Sequence, residues 1–162
     1  MTELAADSAL MALIARDVDA GGFHIVHTPD DMVGPAITYS IGLWRNFRHP
    51  EVAVCALSEE AGIALIDRIG ADIAKARRGF MPETVADDLV EGASVTFIAI
   101  NEDFYEDALD MAVWFYVHHT RPPEQFPAVQ AVLPTVEGGF YPWDVDYPQH
   151  LERVQPLLGM KR

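Results

Sequence analysis

His49-Pro50-Glu51 sets an imidazole and a carboxylate two residues apart where a strand is predicted to begin. An imidazole titrates near neutral pH and a carboxylate can orient it, so this pair has the parts for acid–base work or for holding a metal. A conformational account competes with that one: Pro50 fixes a turn, His49 bonds backbone there, and Glu51 ends in solvent. Cys55, the single cysteine, lies six residues beyond His49. Six residues of strand span about 20 Å, whereas a nucleophile and its base meet at roughly 3 Å, so these two make no dyad. His24 or His27 from a neighbouring strand could serve Cys55 instead, but a small buried apolar role is the expectation for it. One cysteine also excludes an internal disulfide and a cysteine-based zinc cluster.

The other polar candidates carry weaker signals. His24 and His27 are three apart on a predicted strand and point to opposite faces, a poor chelating pair. His118-His119 are adjacent beyond a predicted helix, where a solvent-facing role suffices. Asp144 and Asp146 offer oxygen ligands for a divalent cation, yet an exposed acidic loop is the expected account of them. No spacing argues for a metal or another cofactor, and none is expected. Tyr39 and Trp143 each present a large face with one polar handle, suited to a ligand wall or to ordinary packing. Ser40 lies on the small side of the Tyr39 strand. Gln130 sits in an otherwise apolar run, and a buried amide there must find backbone, water or ligand. Tyr39, Ser40, Gln130 and Trp143 are therefore the expected binding residues, with His49 and Glu51 the catalytic candidates.

Several elements must position these groups. Leu10, Ile14 and Val18 recur every four residues, with Met11 beside them, which predicts one buried helix face over residues 5–18, stopped by Gly21-Gly22. Residues 23–28 alternate as a strand. Residues 36–43 divide into a bulky face of Ile37, Tyr39, Ile41 and Leu43 and a small face of Ala36, Thr38, Ser40 and Gly42. A small face admits a close neighbour, whether helix, backbone or ligand, with packing the expected cause. Residues 51–57 are nearly all apolar and predict a central strand. Ser58 caps a helix that opens with Glu59 and Glu60 and buries Leu65, Ile66, Ile69 and Ile73. Residues 93–100 and 128–133 predict further strands. Residues 102–117 predict a helix with Phe104, Ala108, Met111, Ala112 and Phe115 inward, halted by Arg121-Pro122-Pro123; the aromatic run Trp114–Tyr116 leaves a strand open at its end. Residues 149–158 close the chain as a short helix or coil. The pattern is α+β: a mainly antiparallel sheet in a single domain, with helices packed on one side. No glycine-rich loop follows a strand, which excludes a dinucleotide or P-loop site.

Charge narrows the function classes. Eleven Lys and Arg against 25 Asp and Glu give a formal charge of −14 in 162 residues. Nucleic-acid phosphates and anionic membranes both require clustered cations, so neither is an expected partner. From Gly79 to Thr120 there is no Lys or Arg, while Glu83, Asp87, Asp88, Glu91 and then Glu102 to Asp110 supply nine carboxylates. Such a stretch can dock a basic protein or serve simply as a solvated face. The seven apolar residues 111–117 are far short of a membrane span and the first basic residue is Arg16, so a cytoplasmic protein is the expectation.

Taken in order, Gly34-Pro35, Tyr39-Ser40-Ile41-Gly42-Leu43, His49-Pro50-Glu51, Ala128-Val129-Gln130 with Pro134, Gly139-Phe140-Tyr141-Pro142-Trp143 and Gln155-Pro156-Leu157-Leu158 resemble a bacterial family known only as domain of unknown function 4262. The likeness runs over residues 22–158. Members more often have Thr at the position of Ser40, a departure that keeps the hydroxyl. The resemblance implies a fold unit and marked positions, and no activity. Three readings follow for test: a domain binding a small molecule or protein partner near Tyr39, His49, Glu51, Gln130 and Trp143; a hydrolase or transferase using His49 and Glu51, with or without a metal; and an acidic docking or mimic protein acting through residues 83–110.

Overall fold

The computed structural model describes residues 2–32 and 34–159. The four-residue apolar spacing near the N-terminus forms helix α1, Thr2–Asp19, with Ile14 and Val18 fully buried and Gly21 turning the chain at φ +93°. Strands β1 (His24–Thr28), β2 (Ile37–Ile41) and β3 (Glu51–Cys55) follow, with a short helix α2 (Leu43–Phe47) between the last two. Helix α3 spans Glu59–Ala74, and Ser58 accepts the Ala61 amide as its N-cap at 3.2 Å. A hairpin of β4 (Val85–Val90) and β5 (Ala93–Ala99) leads to helices α4 (Tyr105–Ala108) and α5 (Asp110–Trp114), then to β6 (Ala128–Val132).

The strands form one sheet in the order β1-β2-β3-β6-β5-β4. Every neighbouring pair is antiparallel except β3 and β6, which run parallel in the middle with Glu51 opposite Ala128 and Val54 opposite Ala131. All residues of β3 and β6 are buried, as a central strand covered on both faces requires. The fold is thus the expected single α+β domain on a mainly antiparallel sheet.

The helices, however, cover both faces of the sheet instead of one. α3 packs Leu65, Ile66 and Ile69 against Val52, Val54, Val95 and Phe97 on one side. α1, α4, α5 and the turn after α5 pack Ile14, Val18, Ala108, Ala112 and Phe115 against Tyr39, Ile41, Ala53 and Cys55 on the other. The physical cause is visible in β2 and β3: both of their alternating residue sets are buried, so each face needs a cover. The small face of β2 is where α3 comes close, since a Cβ added at Gly62 would lie 2.2 Å from Thr38 Oγ1. The packing expectation for that face holds at Thr38.

Three local features depart from the sequence pattern. β4 falls inside the acidic stretch; a bulge between Ala86 and Val90 leaves Ala86 and Leu89 inward, a spacing of three that hides strand periodicity. α2 is too short to show a period. The predicted single helix over residues 102–117 is divided: a 3-10 turn at Glu102–Phe104, then α4, a break at Leu109 with φ −127°, then α5 and a π turn over Phe115–His119. No strand forms at its aromatic end. The closing segment, expected as a short helix or coil, is one 3-10 turn, Gln149–Leu151, followed by turns. No helix of the described residues is long and apolar enough to cross a membrane.

Candidate functional site

Glu51 begins β3 on the Ala53–Cys55 face and is completely buried. Its carboxylate accepts hydrogen bonds from five donors: the Ser40 hydroxyl at 2.8 Å, the backbone amides of Gly42, Leu43 and Trp44 at 2.9, 3.1 and 3.2 Å, and the Tyr116 hydroxyl. Gly42 turns at φ +114°, a conformation glycine adopts without strain, and this aims three successive amides at one point. Those amides are the unpaired donors at the start of α2, so Glu51 is the cap that α2 lacks in its own sequence. Burial pushes the Glu51 carboxyl upward, and the bonds from Tyr116, Ser40, Gly42 and Trp44 pull against that shift. Because amides can only donate, the arrangement is complementary to the carboxylate form. The expected solvated end of Glu51 does not exist.

His49 faces the opposite side. Its Nδ1 donates to the Pro50 carbonyl at 2.7 Å, and its Nε2 accepts the Phe80 amide at 2.8 Å. These partners fix the neutral Nδ1–H tautomer and occupy both ring nitrogens. Burial lowers the His49 pKa, with the Pro50 carbonyl opposing. The ring lies beside Phe80 at a centroid distance of 6.3 Å. His49 and Glu51 therefore address different faces and share no hydrogen bond.

The other candidates are placed as follows. Tyr39 is fully buried; its hydroxyl donates to Asp110 Oδ1 and accepts the Met111 amide, both at 3.2 Å, at the start of α5. Ser40 also accepts the Val52 amide at 3.0 Å. Gln130 is fully buried, donates to the Pro156 carbonyl at 2.8 Å and accepts the Leu158 amide at 2.9 Å. Its neighbour in the clamp, Gln155, exchanges two bonds with the Leu133 backbone at 2.9 and 2.8 Å. Trp143 is 46% exposed and stacks on Tyr141 at 4.9 Å, away from the rest. Cys55 is buried, and burial pushes its thiol up to about 12, which keeps it protonated. His24 pairs with Asp17 and His27 with Thr38, on opposite faces of β1. His119 pairs with Asp19, and Asp144 accepts the Tyr141 amide in a turn. Among the described residues no three His, Cys, Asp or Glu side chains are grouped as a metal would need.

So Ser40 and Glu51 are brought together with Tyr116, and Tyr39, His49, Gln130 and Trp143 each go elsewhere. A small cavity of about 220 Å³ lies beside Tyr105, Val113, Tyr116 and Phe126, and larger open space lies at one end of the sheet. Two cavities of about 750 and 770 Å³ adjoin there, sharing Ala56, Leu57, His150 and Val154 as a common wall. The first is bounded by Leu133, Pro134 and Phe140; the second reaches Asp30, Pro35 and Arg153. A third of about 500 Å³ shares Asp31, Gly34, Pro35 and Pro156 with the second and ends at Asp107 and Asp110. This groove runs past the carboxyl ends of β3 and β6, the position at which open sheets with parallel strands present ligand sites. Ala56 at its wall holds φ +71°, a left-handed conformation that costs a residue with a Cβ about 1–2 kcal/mol. Ala56, Leu133, His150 and Val154 carried no sequence signal; only the turn residues Gly34-Pro35 and Pro134 marked the neighbourhood.

Over residues 17–148 the chain matches the family model described as Domain of unknown function (DUF4262), and it belongs to that family. The matched region starts ahead of Gly22 and stops before the Gln155–Leu158 segment that also resembled the family. No curated protein matches the chain. No solved structure matches it either.

Proposed function

We propose that this chain is a binding domain that takes a small molecule or a segment of a protein partner in the groove at the carboxyl ends of β3 and β6. The observation that carries this reading is the groove itself: ligand-sized space at the carboxyl ends of the two central strands, apolar in its first cavity and mixed in its second, with a strained backbone position in its wall. Gln130 takes part as the brace of the segment that forms one side, through Pro156. Tyr39, Ser40, His49 and Glu51 support the scaffold beneath.

A hydrolase or transferase built on His49 and Glu51 is less well supported. Both nitrogens of His49 are committed to backbone, and Glu51 is fully buried with its oxygens taken up by five donors. Nor is the acidic stretch one surface: Arg78 binds Asp88 at 2.8 and 3.0 Å, and Ser94 bonds Asp87. In its second half the carboxylates Glu102, Asp103, Glu106, Asp107 and Asp110 stay exposed, and Asp107 and Asp110 border the groove.

An amide-detected NMR fragment screen on the full chain tests the reading. Fragments with an apolar ring should shift Leu57, Leu133 and Val154 together. Hits that cluster elsewhere, or a library without hits, would contradict it.

A further inference from the structure

The second cavity of the groove is lined by charges of both signs, brought to it by two separate segments. The loop between β1 and β2 supplies Asp30 and Asp31, and the chain after Pro148 supplies His150 and Arg153. Arg153 is the informative residue. Among the described residues Arg16, Arg45, Arg48, Arg68, Arg77 and Arg78 each pair with a carboxylate. Arg121 and Arg153 have no such pair, and of the two only Arg153 borders the groove. Its isolation stands out in a chain of formal charge −14, where carboxylates outnumber cations. Asp30 lines the same cavity, yet no ion pair within 4.0 Å joins it to Arg153. Among the described residues the side chains of Asp30 and His150 have no partner either. Asp31 differs, since its Oδ1 accepts the Gly34 amide at 2.8 Å.

A cavity of about 770 Å³ thus holds a cation and a carboxylate that do not reach each other. A simple anion would leave Asp30 opposing it, a simple cation would leave Arg153 opposing it, and an uncharged ligand would desolvate both without pairing either. A molecule with a carboxylate and an ammonium group answers both. The guanidinium fork can hold the carboxylate in two parallel bonds, a His150 ring nitrogen can add a donor, and Asp30 can accept from the ammonium. The rest of such a ligand has a place in the first cavity, which shares Leu57, His150 and Val154 with the second. Leu133, Phe140 and Leu151 line that space together with Glu137 and Asp146, and among the described residues no Lys or Arg borders it. It suits an apolar or a basic side chain and repels an acidic one.

We infer that the second cavity binds a small zwitterion with a free α-ammonium and a free α-carboxylate, an amino acid or short peptide. Its carboxylate sits on Arg153 and His150, its ammonium on Asp30, and an apolar or basic side chain enters the first cavity. This rests on the groove being the binding surface.

The test is an amide-detected NMR titration of the full chain with leucine, lysine, glutamate and leucyl-leucine, and with N-acetyl-leucine and leucinamide as blocked forms. Leucine, lysine or leucyl-leucine should shift the amides of Ala56, Leu57 and Arg153, and the tighter of leucine and leucyl-leucine sets the length. Each blocked form should bind about tenfold more weakly than leucine, and glutamate more weakly than either. Arg153→Gln and Asp30→Asn change exposed side chains, so each should lower affinity about tenfold with melting unchanged. In Arg153→Gln, blocking the carboxylate should cost little more, because both changes empty the same contact. Blocked and free forms binding alike, or affinity indifferent to Arg153→Gln, would overturn the inference. If none of these ligands shifts groove amides while fragments do, the inference falls and the groove reading stands. If neither reaches the groove, both fall.

Discussion

His49 and Glu51 flank one proline and face opposite sides of the sheet: the His49 ring bonds the Phe80 amide over one face, and the Glu51 carboxylate bonds Tyr116 over the other. The turn His49-Pro50-Glu51 works as a rivet through the centre of the sheet. On one side it ties down the segment after α3, and on the other it ties α2 and the π turn to β3.

Removing the charge of Glu51 should be costly. Glu51→Gln places amide hydrogens against backbone amides, leaving a buried donor unpaired, and should destabilise the protein by about 2–4 kcal/mol. Tyr116→Phe should cost about 1–2 kcal/mol, and the double variant less than the sum, because both changes empty the same bond. Urea melts of the four proteins give the cycle; strict additivity would mean that the two groups act independently.

The His49 pKa lies below its ordinary value of 6.5 in the folded chain. The unfolded chain therefore binds the proton more readily, and stability falls as pH drops below about 6.5 toward the folded value. His49→Gln should flatten the loss between pH 7 and 5 while lowering stability at pH 7.5. An acid limb of unchanged slope in that variant would assign the titration to another group.

Gly62 should tolerate no side chain. Its added Cβ meets Thr38 Oγ1 at 2.2 Å and Thr38 Cβ at 2.9 Å, with the strand behind. Gly62→Ala should cost about 1–3 kcal/mol, and Thr38→Ala in the same chain should recover part of it by removing the nearer atom. Thermal melts that show Gly62→Ala neutral or stabilising would contradict the close approach of α3 to β2.

Elements held by contiguous residues were legible in the sequence. α3 was marked by its cap, its acidic first turn and its apolar stripe, and β3 by an unbroken apolar run. What stayed hidden was set by partners distant in the chain. α2 has no local cap because Glu51, eight residues past Leu43, supplies it. β4 was masked by its bulge and its paired aspartates. The second helical layer was not read from β2, although packing was the expected cause of its small face, because that face alone does not say whether a helix or another backbone covers it. At the site, Gln130 was rightly marked as a buried amide in need of partners, and bracing of the Pro156–Leu158 backbone is the role it has. The groove escaped notice because loops remote in sequence make its walls.

The brace is itself testable. Gln130→Ala strips partners from the Leu158 amide and the Pro156 carbonyl, and should cost about 1–3 kcal/mol. Hydrogen exchange should quicken at Leu158 and neighbouring amides well before the sheet opens. Exchange that rises uniformly across β3 and β6 would make Gln130 a core residue without a local role.

If binding resides in the groove while His49 serves the fold, the two roles separate when the affinity of one groove-shifting fragment is measured for the wild type, His49→Gln and Val154→Arg, with melting temperatures alongside. His49→Gln should melt earlier yet bind within about twofold of the wild type. Val154→Arg, altered at a side chain 40% exposed, should melt normally and no longer bind. Loss of binding in a folded His49→Gln protein, with Val154→Arg unaffected, would contradict that separation.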